Sequence, residues 1–315
     1  MAGDVTMSAG LRAAARDYLS ERRARGYRLD DHERLLGAFL DGLDARGAAR
    51  VTAAEALTFA TARPQTQRSW QAKRLAVVRE FAWYLYGIDP AAAEPIPAGI
   101  IDARVSRRVP YLYSDEQIAL LMQAAALLAA RMLAASMQTL IGLLASTGLR
   151  SGEAGALDVE DLDAAARLLT VTGKYGRVRL VALHSTTVQA LTEYLRLRAS
   201  RAAPAGPLLV GETGHRLNLT MARHIFRSLT RQCRLAAQPG CGEPRLHDFR
   251  HRFAVNTLID AHRQGRDADA TIATLATHLG HVSPVHTYWY LTITPELVDA
   301  VSERVALYYQ QGRRQ

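Results

Sequence analysis

The sequence has few lysines and few cysteines, although it is rich in arginine. Lys73 and Lys174 are the lysines among 39 basic residues, so the other 37 are arginines. Two cysteines in 315 residues argue against a disulfide scaffold and predict a cytoplasmic protein in a reducing compartment. The N-terminal residues lack the basic and then apolar segments of a signal peptide, which agrees with that expectation.

Membrane-spanning segments and nucleotide-binding motifs are also missing. The long uncharged run at 132–149 contains Ser136, Gln138, Thr139 and Ser146, so it predicts a buried helix and no membrane span. There is no Walker A motif and no carboxylate cluster suited to two-metal phosphoryl transfer. These absences argue against a membrane protein, a P-loop NTPase and a two-metal nuclease.

The composition does show an excess of positive charge. The chain has a net charge of +9 and a pI near 9.9, and both halves are basic. Because 49% of its residues are hydrophobic and 22% are charged, it resembles a folded globular protein. The charge favours a polyanionic partner, and two basic halves would suit a protein that grips DNA between them.

The apolar spacing divides the chain into two units. Helical periodicity over residues 1–89 predicts four short helices, with Thr52 as the N-cap of the third. Residues 90–110 contain four of the eleven prolines and predict a linker, because proline blocks regular pairing. The second unit is therefore expected at 111–315.

The second unit combines helices with a small β-structure. Ser114 begins a predicted helix, and Gly148 is expected to end another. The period changes at 168–183, where two β-rich runs flank a turn bounded by glycines and predict a hairpin. Helical spacing returns at 185–202, 219–236, 246–262, 269–279 and 284–309. The expected fold is mostly α with a small sheet, of the α+β class.

The first two groups of candidate functional residues lie in the turn after the helix that Gly148 ends and at the tip of the predicted hairpin. Arg150 and Glu153 share one helical face, so the carboxylate can orient the guanidinium. A surface ion pair is the alternative interpretation. Lys174 lies between Gly173 and Gly176 at the hairpin tip. The scarcity of lysine favours a specific role for it, and a solvated turn lysine is the alternative.

A third group combines a histidine with an arginine. His247 and Arg250 are also three residues apart, and the pair suits an anionic oxygen, because arginine offers a fork and histidine can move a proton. A pair on the helix surface, beside a buried Phe249, is the alternative. His251 lies about 100° around the helix from Arg250, so it is expected to pack elsewhere.

The fourth group depends on a break in a helix. Tyr290 follows His281 by nine positions, which places the two on opposite faces of one continuous helix. Gly280 as a C-cap and Ser283 as an N-cap supply the break that lets both reach one ligand. Tyr288 and Tyr290 are about 200° apart, so at most one of them points into a site. An aromatic packing stripe is the alternative.

A zinc site is an alternative interpretation of the cysteines and histidines at 233–251. Cys233, Cys241, His247 and His251 form a possible quartet, but their spacings do not match the common knuckle patterns, and the site would share a helix with Arg250. The sequence therefore predicts no metal.

The four groups, in this order, resemble the tyrosine recombinase (phage integrase) family over about residues 111–300. Any one of them is weak evidence, whereas the ordered set is specific. The matching positions are the TGLR-xxE box at 147–153, the hairpin lysine at Lys174, the HxxR box at His247 and Arg250, the LGH box at 279–281 and the nucleophile at Tyr290.

The resemblance implies both architecture and partners. Residues 1–89 resemble the four-helix, SAM-like core-binding domain of the family, and 111–315 its catalytic domain with a C-terminal helix. Double-stranded DNA is the implied partner, bound by a homo- or hetero-tetramer that can include sister recombinases in the bacterial nucleoid, without cofactor or metal. The segments 111–115 and 287–291 resemble recombinases carried by multi-recombinase transposable elements more than the chromosome-dimer-resolving branch.

The resemblance also implies a mechanism of cutting and rejoining DNA. Tyr290 would attack phosphorus and leave a 3′-phosphotyrosine and a free 5′-hydroxyl, which a partner strand can use to reseal the DNA without ATP. The other side chains would assist this step: Arg150 and Arg250 on the non-bridging oxygens, His247 as proton acceptor from the phenol, His281 on the phosphate, Lys174 as proton donor to the leaving oxygen, and Glu153 as support for Arg150.

Two rival functions remain open at this level. A type IB topoisomerase uses similar chemistry on the same catalytic fold, and it would relax supercoils as a monomer without site preference. A DNA-binding accessory of a partner recombinase would need no chemistry at all. The compact helical N-terminal unit and the complete residue set favour a recombinase.

Overall fold

Two compact units, Met1–Arg107 and Arg108–Gln315, make up the chain. The structure, a computed structural model, describes residues 2–102, 109–173, 176–237 and 241–280. None of the described helices is both long enough and apolar enough to cross a membrane.

The first unit has four helices within residues 2–102, as the sequence predicts. Their apolar faces meet in one core, in which the rings of Phe39 and Phe59 pack edge to face at 5.4 Å. Thr52 caps the third helix, because its hydroxyl accepts a hydrogen bond from the Glu55 N–H at 3.2 Å. The helices are α1 (Ala2–Ala24), α2 (Asp30–Ala45), α3 (Ala53–Thr61) and α4 (Arg68–Ile88).

The proline-rich segment begins as part of this first unit. Ala93 and Ile96 are fully buried in the core of the four helices. Ala93 also forms an isolated parallel bridge with Val51, where the Val51 N–H donates to Ala92 and the Glu94 N–H donates to Val51. The start of the segment therefore packs on the helices, which separated prolines permit, because only their own N–H groups are lost.

The second unit is mostly helical, with one small sheet among its described residues. Its core is apolar side chains from α5, α6, α8 and α9 packed against the inner face of the sheet. The described elements are α5 (Asp115–Ala126), α6 (Arg131–Thr147), α7 (Ser151–Ala156), β1 (Leu162–Asp163), β2 (Leu168–Thr172), β3 (Val178–Ala182), α8 (Ser185–Arg198), α9 (Leu219–Gln232), α10 (Asp248–Arg263) and α11 (Ala268–Leu279).

The predicted hairpin is formed by β2 and β3. In β3 two apolar side chains face solvent and an arginine faces inward, the reverse of the pattern in a simple amphipathic strand. In β3 the apolar Val178 and Leu180 are 63% and 61% exposed, whereas Arg179 and Val181 face inward. Pairing of β2 with β3 is antiparallel, with Val171 opposite Arg179. The sequence analysis missed β1, a two-residue strand that completes the described sheet in the order β1-β2-β3.

Two glycines end helices where the sequence predicts them. Gly148 follows α6 with φ of 65°, and Gly280 follows α11 with φ of 67°. Both are left-handed, a conformation that glycine adopts without a Cβ penalty. Ser114 forms a capping box with Gln117 at the start of α5. The predicted helix at 284–309 lies outside the described residues.

Candidate active site

Arg150 and Glu153 form the pair expected from their spacing. Arg150 precedes α7, and both its backbone N–H and its Nη1 donate to the Glu153 carboxylate, at 3.0 and 2.8 Å. The Glu153 side chain is 7% exposed, so the pair is not a solvated surface contact. Because Arg150 is 32% exposed, its guanidinium is held from one side and still reaches solvent.

A second arginine, which the sequence analysis did not single out, completes this cluster. Arg179 on β3 donates from Nη1 and Nη2 to the two carboxylate oxygens of Glu153, at 3.2 and 2.8 Å. Its Nε donates to the backbone carbonyl of His278 near the end of α11, at 2.8 Å. Arg179 thereby joins the hairpin, the start of α7 and the end of α11.

The Glu153 carboxylate is strongly stabilised in its charged form. Burial alone raises the pKa of this group, but the hydrogen bonds from Arg179 and from the Arg150 N–H, with the positive charges, lower the pKa to about 2. Glu153 therefore stays ionised throughout the physiological pH range and is suited to a positioning role.

Arg250 is buried, so the alternative of a surface pair on α10 is wrong for this residue. The residue is 1% exposed, and its Nη1 and Nη2 donate to the backbone carbonyls of Gly148 and Leu279, at 3.0 and 2.6 Å. Both acceptors lie at helix ends, where carbonyls lack an intrahelical partner. Arg250 thus fixes the ends of α6 and α11 around one guanidinium.

His247 lies immediately before α10, with part of the residue open to solvent and the imidazole close to protein and to the charges of Arg150 and Arg250. Desolvation by the surrounding protein lowers the pKa of its imidazole, and the positive charges of Arg250 and Arg150 lower it further. At neutral pH the ring is therefore neutral and able to accept a proton. The His251 ring packs edge to face against the His247 ring at 4.9 Å. The expectation from the sequence that His251 packs away from the site is therefore wrong.

A basic cavity opens next to His247. Its volume is about 250 Å³. Its polar lining comes from Ser151, Arg223, Arg227, Arg245 and His247. Three arginines around one cavity make this side of the site suitable for a polyanion.

The end of α11 is fixed by a second histidine that the sequence analysis passed over. His278 donates from Nε2 to the Thr147 carbonyl at 2.8 Å, and its ring stacks on Phe253 at 5.1 Å. Burial lowers the pKa of His278, although the hydrogen bond to Thr147 opposes this effect. Neutral His278 therefore links the ends of α6 and α11 near Arg250.

The structure brings together the predicted site residues that it describes: Arg150, Glu153, His247 and Arg250. The others, Lys174, His281 and Tyr290, lie outside the described residues, and their positions stay predictions. Their sequence neighbours do lie at the site. A Cβ added to Gly173 would be 3.6 Å from Arg179 Nη1, and one added to Gly280 would be 3.0 Å from it.

Gly148 gives a first testable prediction, on stability. A Cβ at this position would lie 2.5 Å from Cδ1 of Phe253, whereas a Cβ at Gly265 would meet nothing within 4 Å. Both glycines are left-handed. We expect Gly265→Ala to lower the free energy of unfolding by about 1–2 kcal/mol through strain alone. Gly148→Ala should cost about 1–3 kcal/mol more through overpacking.

Urea denaturation of the two variants measures this difference. Because backbone strain is matched, any excess loss in Gly148→Ala reports the packing of Phe253 against the end of α6. Equal losses in the two variants would show that the Phe253 ring moves away freely and that this end of the site is loosely packed.

Known proteins that are similar to this chain in sequence are integrases and recombinases. Residues 111–296 match the phage integrase family. A protein named as an integrase/recombinase (y4rB) from Sinorhizobium fredii is 37% identical over 93% of this chain and 96% of its own length. The tyrosine recombinase XerC of Mycobacterium bovis is 31% identical over 78% of this chain and 79% of its own.

Solved structures with the same fold were also found. The Tn1549 transposon integrase in complex with transposon right end DNA superimposes with a TM-score of 0.64. The superposition covers 93% of this chain and 99% of the integrase chain, at 16% identity. The XerH recombinase bound to its palindromic difH substrate also gives a TM-score of 0.64, over 86% of this chain and 78% of that one, at 14% identity. At these identities the likeness concerns the fold.

Proposed function

The chain belongs to the phage integrase family of tyrosine recombinases, and from this premise we propose that it is a site-specific recombinase acting through a 3′-phosphotyrosine intermediate. Members of this family cut and rejoin DNA strands. The observation that carries the proposal is that Arg150 and Arg250, each held by hydrogen bonds, lie close enough to His247 for their charges to lower its pKa.

The two arginines supply the positive charge that the reaction needs. When a phenolic oxygen attacks a phosphodiester, negative charge builds up on the non-bridging oxygens, and fixed donors stabilise it best when they need not reorganise. Arg150 is held by Glu153, and Arg250 by two backbone carbonyls. Arginine also stays charged throughout, since a guanidinium does not lose its proton in proteins.

The remaining steps concern protons. The Tyr290 oxygen bonds to phosphorus, and its proton passes to His247, whose ring is free to accept a proton because its lowered pKa keeps it unprotonated at neutral pH. The bond from phosphorus to the 5′ oxygen breaks, and Lys174 protonates that oxygen, a role for which lysine is better suited than arginine. His281 donates a hydrogen bond to the phosphate. Attack by a 5′-hydroxyl reverses these steps and restores the phosphodiester.

The two units are assigned separate tasks in this proposal. Residues 1–89 form a core-binding domain that contacts DNA, and residues 111–315 carry the chemistry. The segment 90–110 joins them, and its start, which packs on the first unit, belongs to the core of that domain. The first task is supported by the four-helix architecture, and the second by the cluster around Arg250. An enzyme with this substrate works on the nucleoid.

A mobile genetic element is the proposed setting of the reaction. Two points support it: the transposon integrase that shares the fold over most of the chain, and the resemblance of segments 111–115 and 287–291 to recombinases of multi-recombinase transposable elements. On its DNA the protein would act as a tetramer, of identical subunits or with sister recombinases. Integration or excision of such an element then follows from the same cleavage.

Covalent trapping tests the proposed function. The DNA that flanks the gene is searched for inverted repeats, and the wild-type protein is incubated with nicked duplexes that carry each candidate repeat, in EDTA and without ATP. We expect a protein–DNA adduct that survives SDS and disappears on protease treatment. Relaxation of a plasmid that lacks the repeats would indicate a topoisomerase instead. Binding with no adduct on any substrate would indicate a non-catalytic accessory.

A further inference from the structure

Arg179 is the most connected charged side chain of the site that has no role in the mechanism above. It makes three hydrogen bonds to two different elements, α7 and α11, from a third, β3. These bonds span 26 and 99 residues of sequence. The side chain is 13% exposed, less than half the exposure of Arg150.

Arg179 and Arg150 hydrogen-bond the Glu153 carboxylate in different ways. Arg179 contacts both oxygens, whereas the side chain of Arg150 contacts Oε1 and its backbone N–H contacts Oε2. A planar fork on a carboxylate fixes direction as well as distance. The orientation of the carboxylate is therefore set from the Arg179 side, and Arg150 aligns with a group that is already fixed.

Close packing around the guanidinium supports this division. A Cβ at Gly280 would approach Nη1, Cζ and Nε of Arg179 at 3.0, 3.2 and 3.3 Å. A glycine at this position lets the end of α11 approach the guanidinium closely, which the bond to the His278 carbonyl requires. Arg179 lies on the inward face of β3, whereas the apolar Val178 and Leu180 lie on the outward, exposed face of the same strand.

We propose that Arg179 is a positioning residue for strand cleavage, which fixes the Glu153 carboxylate, and through it the Arg150 guanidinium, relative to the end of α11. The inference rests on the proposed function, since it assigns a task to Arg179 in that reaction. Arg179 itself does not touch DNA. It acts on the rate of cleavage and leaves the affinity for DNA unchanged.

A double-mutant cycle tests this role. Single-turnover adduct formation and the Kd for the nicked duplex are measured for the wild type, Arg179→Met, Glu153→Gln and the double variant. We expect Arg179→Met to lower the rate by about 100-fold, the effect of a misplacement of about 1 Å. The Kd should change by less than about threefold, because the phosphate contacts elsewhere are retained.

The coupling distinguishes positioning from general support of the fold. If Arg179 acts through Glu153, Arg179→Met should cost little further rate once Glu153→Gln is present. Losses that multiply within about twofold would mean that the residues act independently and would overturn the proposal. A loss confined to the Kd would overturn it as well.

Two further variants keep the test decisive. Arg216 ties the other end of α7, since it donates to the carbonyls of Gly155 and Leu157 at 3.0 Å, so Arg216→Met is the control for support of α7. Its rate should stay within about threefold of the wild type, because Arg216 contacts none of the predicted site residues. If Arg179→Met fails to fold, Arg179→Lys takes its place, because one ammonium cannot reproduce three hydrogen bonds in a fork.

The wild-type protein separates failure of this inference from failure of the proposed function. Without wild-type adducts, the proposed function itself is wrong. With wild-type adducts and a full rate in Arg179→Met, the recombinase function stands and the role of Arg179 falls.

Discussion

Replacement of Tyr290 by phenylalanine is expected to abolish the covalent adduct with DNA, the largest effect of any single change in this chain. Phenylalanine keeps the ring and removes the oxygen that would bond to phosphorus. The rate should fall by roughly 10⁴-fold or more, as on removal of a nucleophile that acts with its partners. Adduct formation on the nicked duplex, quantified by SDS gel, measures the loss.

Tyr288 provides the matched control for this experiment. On the helix that the sequence predicts for 284–309, the two tyrosines would be about 200° apart, so only one of them would face the phosphate. We expect Tyr288→Phe to retain adduct formation, and both variants to bind the nicked duplex as the wild type does. If adducts persist in Tyr290→Phe and vanish in Tyr288→Phe, the nucleophile has been assigned to the wrong tyrosine.

Arg250→Lys is expected to combine a loss of stability with a larger loss of activity. The one ammonium nitrogen of lysine cannot take the separate positions of Nη1 and Nη2, so the carbonyl of Gly148 or of Leu279 loses its partner, at a cost of about 1–3 kcal/mol. The adduct rate should fall by about 10²–10³-fold, the typical effect of removing one donor to a developing oxyanion. Urea denaturation and single-turnover cleavage measure the two effects separately.

Arg198 offers a control with nearly the same burial and the same kind of partners. It is 2% exposed, and its guanidinium donates to the backbone carbonyls of Ala203, Ala205 and Pro207 in the turn after α8. Arg198→Lys should lose a similar amount of stability and cleave DNA at the wild-type rate, once corrected for the folded fraction. A comparable loss of rate in both variants would mean that Arg250 acts through stability alone.

Local chemistry explains why much of the fold can be predicted from the sequence. Thr52, Ser114, Gly148 and Gly280 end or begin helices where expected, because a cap depends on a few neighbouring residues. The spacing of Arg150 and Glu153 predicts their contact for the same reason. Two residues three apart after a helix start have little choice of neighbours.

Long-range contacts explain what the sequence does not reveal. Arg179 contacts Glu153 and His278 across 26 and 99 residues, and His278 contacts Thr147 across 131. An alternating strand such as β3 does not show which of its faces is inward. Because Val178 and Leu180 look like the buried set, the inward position of Arg179 is apparent only from the structure.

The burial of Arg250 shows a similar limit within a single element. The three-residue spacing from His247 places the two side chains on one face, but it does not show that one lies at the surface and the other is 1% exposed. That difference arises from the ends of α6 and α11, which close over the guanidinium. The sequence indicates which residues share a face, and the packing of distant helices determines how far each is buried.

The two carbonyls that hold Arg250 also have a bearing on how the protein is made. They lie 102 residues before it and 29 residues after it, so the second contact cannot form until α11 has left the ribosome. Contacts that close long loops form late in folding, because the chain entropy must first be lost. A nascent or truncated chain that ends before Leu279 therefore lacks one of the two contacts that fix Arg250, and its site is incomplete until the end of α11 has been made.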